Sequence, residues 1–212
     1  RGADDVWRAF NYVHVINTYY NMYRISRIYH RDWLGAPHVW IYKAYEYAKA
    51  MFSYWMFPDG IGATEIGNMG EFVLATEIVG ALKDQNCRKE ADELQEIITE
   101  KARFFAGKTY PYGSEMAYDS TAYEAVYGYG KAIMDEHVME KTMEVSLANR
   151  GWQPEWYLYM TDLRGGGDSH WNVSYMTQLG AYPIYDWVLE QRHYQVDLMK
   201  ALYGAYLAGF AI

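Results

Sequence analysis

Four times along this chain, a polar or glycine-rich loop carrying carboxylates and aromatic residues leads into an aromatic, small-residue-rich helix. A short turn and a second helix then follow. The loops are residues 1–5, 57–71, 108–124 and 151–171. A short turn between two helices forces them antiparallel, so each unit reads as a hairpin. If the four hairpins all start from one side, the acids, amides and indoles of their loops converge there.

Periodicity sets the helices. Val6, Phe10, Val13, Ile16, Tyr20, Tyr23 and Ile28 recur at three- and four-residue steps, which predicts one helix over residues 4–29. Its other face is also apolar or aromatic, so burial on most sides is expected. A second helix spans 37–55, with Pro37 where a helix start tolerates it and Pro58-Asp59-Gly60 beyond its end. Residues 68–82 carry few charges, whereas 88–106 surround a stripe of Leu94, Ile97, Ile98 and Phe104 with charged side chains. The first of these is expected inside and the second against water. The contrast returns between 119–134 and 136–149, and less sharply between 169–190 and 194–208. Only residues 156–160 offer a strand, and they read equally as buried loop. The fold class is therefore all-α, an array of about four antiparallel helical hairpins in one domain over residues 1–212.

Size and charge limit the function. A chain of 212 residues can bury one sizeable core. Its formal net charge of -8 argues against a phosphate-binding surface, so nucleic acid is not an expected partner. Charged residues interrupt every apolar run before the ~18 residues that a membrane span needs, and no span is expected. The single cysteine, Cys87, excludes an internal disulfide framework and leaves the compartment open, with an extracellular or periplasmic one favoured. Without an initiator methionine or signal peptide, the chain reads as a mature or excised piece of a larger protein.

Alternating inner and outer helices, with long aromatic and acidic loops entering the inner ones, resemble the six-hairpin α/α toroid of many glycoside hydrolases and some polysaccharide lyases. The segments His14-Val-Ile-Asn-Thr-Tyr-Tyr-Asn-Met-Tyr-Arg24, Tyr118-Asp-Ser-Thr-Ala-Tyr-Glu124 and Gly165-Gly-Gly-Asp-Ser-His-Trp-Asn172 are also similar to an uncharacterised family of large bacterial, toroid-containing proteins. The resemblance covers most of the chain but no catalytic signature. It implies an oligo- or polysaccharide partner, and further helices or domains of the same parent protein to complete six hairpins.

Sugar chemistry suits the loops. A glycosidase commonly uses two carboxylic groups, one to protonate the leaving oxygen and one to activate water or attack the anomeric carbon. Tyrosine and tryptophan faces stack on the apolar faces of pyranose rings. The densest constellation holds Trp152, Glu155, Trp156, Asp162, Arg164, Asp168, His170, Trp171, Asn172 and Tyr175. Gly165 to Gly167 would let backbone approach a ligand, while Asp168 also suits a helix cap. A second constellation interleaves Glu115, Asp119 and Glu124 with Tyr110, Tyr112, Tyr118 and Tyr123. Thr121 and Glu124 match a capping box and Asp119 suits the same helix start, whereas Glu115 precedes the helix and has no capping role. In the loop before residue 68, Glu65 is the prominent acid, while Asn68 and Glu71 match another capping pair. Asp4, Asp5, Arg8 and Asn11 crowd the first helix start, where acids favour the helix dipole.

Other chemistries fit less well. The six histidines and one cysteine show no zinc spacing, and neither a phosphate loop nor a nucleophile elbow occurs. Residues 162–168 lack the EF-hand pattern, and Cys87 at a charged helix start suits packing better than nucleophilic catalysis. No cofactor or metal is expected. The leading expectation is hydrolysis of a glycosidic bond with Asp168 and Glu115 as acid and base, and Asp119 as a further catalytic carboxylate. Glu65, Tyr112, Tyr118, Glu124, Trp152, Trp156, Arg164, His170, Trp171, Asn172 and Tyr175 would bind substrate. The alternatives are a lyase, with proton transfer by Tyr175 and uronate neutralised by His170, Asn172 or Arg164, and a non-catalytic carbohydrate-binding or scaffolding toroid.

Overall fold

The computed structural model describes residues 10–30, 32–55, 67, 70–112, 122–148 and 181–211. Among these residues every regular element is helical. Helix α1 spans Phe10–Tyr29 and, after a 3-10 turn at Asp32–Leu34, α2 spans Pro37–Trp55. Helices α3 (Glu71–Thr76) and α4 (Ile78–Asp84) precede α5 (Arg88–Ala106). Helices α6 (Tyr123–Ala132) and α7 (Glu136–Ala148) form the next pair. Helix α8 (Tyr182–Tyr185) runs into one π-helical turn at Asp186–Glu190, and α9 spans Val196–Ala211. The strand candidate at 156–160 lies outside the described residues.

The pairs pack one beside the next, α1/α2 against α3/α4, α3 and α5 against α6, and α6/α7 against α8. Side-chain pairings fix the direction of the first members. Asn17 meets Gly70, Tyr20 meets Glu77 and Arg27 meets Asp84, so numbers rise together and α1 runs parallel to α3/α4. Glu124 meets Gly70 and Gly128 lies against Phe72, so α6 is parallel as well. Helix α8 follows the same sense, with Tyr182 near Glu124 and Asp186 bonded to Tyr127 and Lys131. The starts of these helices therefore share one end of the array.

A repeated turn closes each hairpin at the other end. His30, Asn86, Met134 and Arg192, one or two residues past the end of the first helix in each pair, all have positive φ. After α4, the Asn86 N–H reaches Lys83 O and the Cys87 N–H reaches Leu82 O. After α6, Met134 bonds Lys131 O and Asp135 bonds Gly130 O in the same pattern. These are Schellman caps, which satisfy the last carbonyls while reversing the chain.

Burial follows the expected alternation in the middle of the array. Residues 122–130 are all buried, α3 nearly so, and α4 buries Ile78, Val79, Ala81 and Leu82, whereas α5 buries only one stripe that includes Ala91, Leu94, Ile98 and Phe105. The first helix departs from expectation. Val13, Ile16, Tyr23 and Ser26 are buried, but Ile25, Ile28 and Tyr29 are exposed, because among the described helices mainly α2 and α3 pack against it. The single helix expected over 68–82 is two. At Glu77 the backbone turns at φ -114, although the Glu77 N–H still reaches Val73 O. Cys87 is half-buried at the α5 start, where burial raises its thiol pKa above the ordinary value, consistent with a packing role.

Candidate functional site at the starts of the inner helices

Gly70 lies where α1, α3 and α6 come together. Its φ of +93 belongs to the left-handed region, and a Cβ here would stand 2.9 Å from Val13 Cγ1, so only glycine fits. Its carbonyl accepts from Asn17 Nδ2 at 3.1 Å, and its N–H donates to Glu124 Oε2 at 2.5 Å. Asn17 Oδ1 is buried and has no hydrogen-bond partner among the described residues. A free buried acceptor of this kind is uncommon in native proteins.

Glu124 has 4% of its surface exposed. Burial pushes its carboxyl up to about 8, with the nearby Glu71 acting in the same direction, while the Gly70 and Phe72 N–H groups pull it down. The group therefore holds its proton at neutral pH, as a general acid requires. Thr121, its expected capping-box partner, lies outside the described residues. Helix α6 starts at Ala122 without a side-chain cap, and the carboxyl reaches across to the start of α3.

Two further buried acids brace the neighbouring helices. Glu71 accepts from Lys101 Nζ at 2.7 Å and from the Tyr129 hydroxyl at 2.6 Å, with Glu71 and Lys101 at most 1% exposed. The Phe52, Phe105 and Tyr129 rings lie 5.0 to 5.8 Å from the Lys101 ammonium, a cation–π setting. Asn68, the expected capping partner of Glu71, lies outside the described residues, and the described partners of Glu71 join α3 to α5 and α6. Asp186 in the π-helical turn accepts from Tyr127 at 2.9 Å, Lys131 at 2.6 Å and Gln191 at 3.0 Å. Burial and Asp186 push the Tyr127 hydroxyl pKa well up, and burial with the Asp186 charge raises Tyr182 to about 12.

Of the predicted site residues, Tyr112 and Glu124 are described. Tyr112 is a correction to the stacking-platform expectation. It is 2% exposed, its ring stacks on Tyr123 at 4.7 Å, and its hydroxyl lies 3.4 Å from Thr142 Oγ1. Both ring environment and hydroxyl are used by the core. Glu65, Glu115, Tyr118, Asp119, Trp152, Trp156, Arg164, Asp168, His170, Trp171, Asn172 and Tyr175 lie outside the described residues. Among the described residues no histidine, cysteine, aspartate and glutamate group could hold a metal ion. None of the described helices is long and apolar enough to cross a membrane.

Asn17, Gly70 and Asp186 join the site without having been singled out by sequence. For Asp186 a signal existed, since a lone acid inside Tyr182-Pro-Ile-Tyr-Asp-Trp-Val188 must find buried partners. For Gly70 and Asn17 nothing local announced a contact between residues 53 positions apart. No curated protein and no solved structure matches the chain. The model of a family of unknown function, DUF5695, matches residues 1–179, and the chain belongs to that family.

Proposed function

We propose that this chain is a carbohydrate-processing domain of α/α-toroid type that hydrolyses a glycosidic bond. One observation carries the reading: Glu124, a buried acid that keeps its proton at neutral pH, sits at the end of the array where the parallel inner helices begin. The loops rich in acids and indoles enter those same helices in the sequence. A proton donor of raised pKa is the group that a glycosidase needs beside a second, ionised carboxylate. Glu115, Asp119 and Asp168 are the candidates for that partner, and for the donor if Glu124 serves only to set its charge. Asn17 Oδ1, a buried acceptor without a hydrogen-bond partner among the described residues, lies at the same end.

A second reading has its own support. Glu71 and Asp186 are each engaged by a cation and tyrosine hydroxyls, which is how braces of a rigid scaffold behave. That favours a non-catalytic carbohydrate-binding or scaffolding domain. Incubation with neutral and uronic glycans separates the readings. New reducing ends without unsaturated uronate absorbance indicate hydrolysis, both signals together indicate a lyase, and binding without turnover indicates the scaffold. Asp168→Asn and Glu115→Gln should each cut hydrolysis by roughly 100-fold or more, the usual size of acid–base catalysis. Full activity in both variants would remove the site assignment.

A further inference from the structure

Between α1 and the α3/α4 pair, away from Glu124, lies an open cleft of about 520 Å³. Its size falls within the ~300–1,000 Å³ usual for small-molecule sites. Three features of its wall point to a ligand. Gly80 is exposed within α4, and a Cβ added there would meet nothing within 4 Å. Glycine weakens a helix interior, and a packing requirement is the ordinary reason to keep one. Here packing requires nothing, and the visible effect of the missing side chain is to leave the cleft open.

The second feature is the disposition of charge. Asp84 is already held by Arg27 at 3.1 Å, and Arg27 also donates to the Tyr23 hydroxyl at 2.9 Å. Glu77 accepts from the Tyr20 hydroxyl at 3.4 Å. Arg24 also lines the cleft, near enough to Tyr20 to act on it electrostatically, and has no hydrogen-bond or ion-pair partner among the described residues. Asp84 is bound by a guanidinium and Glu77 only by a hydroxyl, which leaves Glu77 able to accept further hydrogen bonds and Arg24 without a bound carboxylate among the described residues. The third feature is the mixture of Tyr20, Ile28 and Ala81 surface with these polar groups, which suits a ring having an apolar face and a hydroxylated edge.

We propose that this cleft binds a carboxylate-bearing sugar, with Arg24 taking the carboxylate and Glu77 accepting ring hydroxyls. The sugar half rests on the carbohydrate reading above, whereas the carboxylate half rests on Arg24. A guanidinium matches a carboxylate with two parallel donors, which a neutral sugar cannot use.

The test is calorimetric titration of the whole chain with glucuronate and galacturonate oligomers and their neutral counterparts. The acidic oligomers should bind at least tenfold more tightly, and added salt should weaken them. Arg24→Gln should lower that affinity tenfold or more. Gly80→Trp should abolish it by filling the cleft, whereas Gly80→Ala should leave it within twofold. Equal binding of neutral oligomers, absence of acidic-sugar binding, or binding that survives Gly80→Trp would each overturn the proposal. Arg24 is exposed, so its variant keeps the test decisive even if the tryptophan disturbs folding. Acidic-sugar binding with this pattern but no glycan hydrolysis removes the hydrolase and keeps the cleft. Hydrolysis without such binding does the reverse.

Discussion

Glu124 and Gly70, on different hairpins, are joined by a 2.5 Å hydrogen bond from the Gly70 N–H to the Glu124 carboxyl. The contact ties the start of α6 to the start of α3, and it places a buried acid beside the positive end of a helix dipole. The dipole and N–H donors favour the charged form, while desolvation opposes it more strongly.

Stability should therefore depend on pH through this residue. Its carboxyl is raised from 4.5 to about 8, so the folded chain holds a proton that the unfolded chain releases across that window. The stabilisation is complete below about 4.5 and is lost as pH rises towards 8. Thermal melts from pH 5 to 8 should show a midpoint falling by several degrees, at ~2–4 °C per kcal/mol for a chain of this length. Glu124→Gln should flatten that fall. An unchanged slope would place Glu124 in a more polar setting than its burial indicates.

The Glu71–Lys101 pair should behave as a buried ion pair. Removing one partner leaves an uncompensated charge, so Glu71→Gln or Lys101→Met should each cost roughly 3–5 kcal/mol in urea unfolding. The double variant Glu71→Gln/Lys101→Met should cost less than the sum of the two. Additive losses would show that the charges do not act on each other.

Two helical glycines should respond in opposite directions. A Cβ at Gly128 would lie 3.0 Å from Phe72 Cα, where backbone must move, so Gly128→Ala should destabilise by about 1–3 kcal/mol. Gly80→Ala meets open space and should stabilise by up to ~1 kcal/mol. Chemical denaturation of both variants checks the sign directly.

The reversal after α6 offers a stabilising change. Met134 is 89% exposed at φ 57, so its side chain contributes little packing while its backbone is in the left-handed region. Met134→Gly should raise stability by about 1 kcal/mol, and Met134→Val should lower it, because a β-branched residue tolerates that conformation least. Melting temperatures moving the same way in both variants would contradict the cap.

Much of the array was legible in the residues themselves. Periodicity placed α2 and α5 at their observed limits, because Pro37 and the break beyond Trp55, and the stripe within Arg88–Ala106, are local signals. The contrast between apolar 68–82 and charged 88–106 also told which helix lies inside, since burial excludes unpaired charge. The position just past the first helix of each pair left no glycine to read. Histidine, asparagine, methionine and arginine occupy the left-handed positions, so the repeat is one of backbone conformation and not of residue type.

What the sequence determined by itself was therefore the helical class, the pairing into hairpins and, in the middle two pairs, the order of inner and outer members, all of which follow from short-range periodicity and turn length. Only the tertiary structure decided what the acids do. Glu71 and Glu124 both had the spacing of capping boxes, yet one pairs with Lys101 and the other with Gly70. A capping motif concerns donors within one turn, but in a buried helix start a carboxyl can also meet a donor from another hairpin, and burial strengthens that long-range bond.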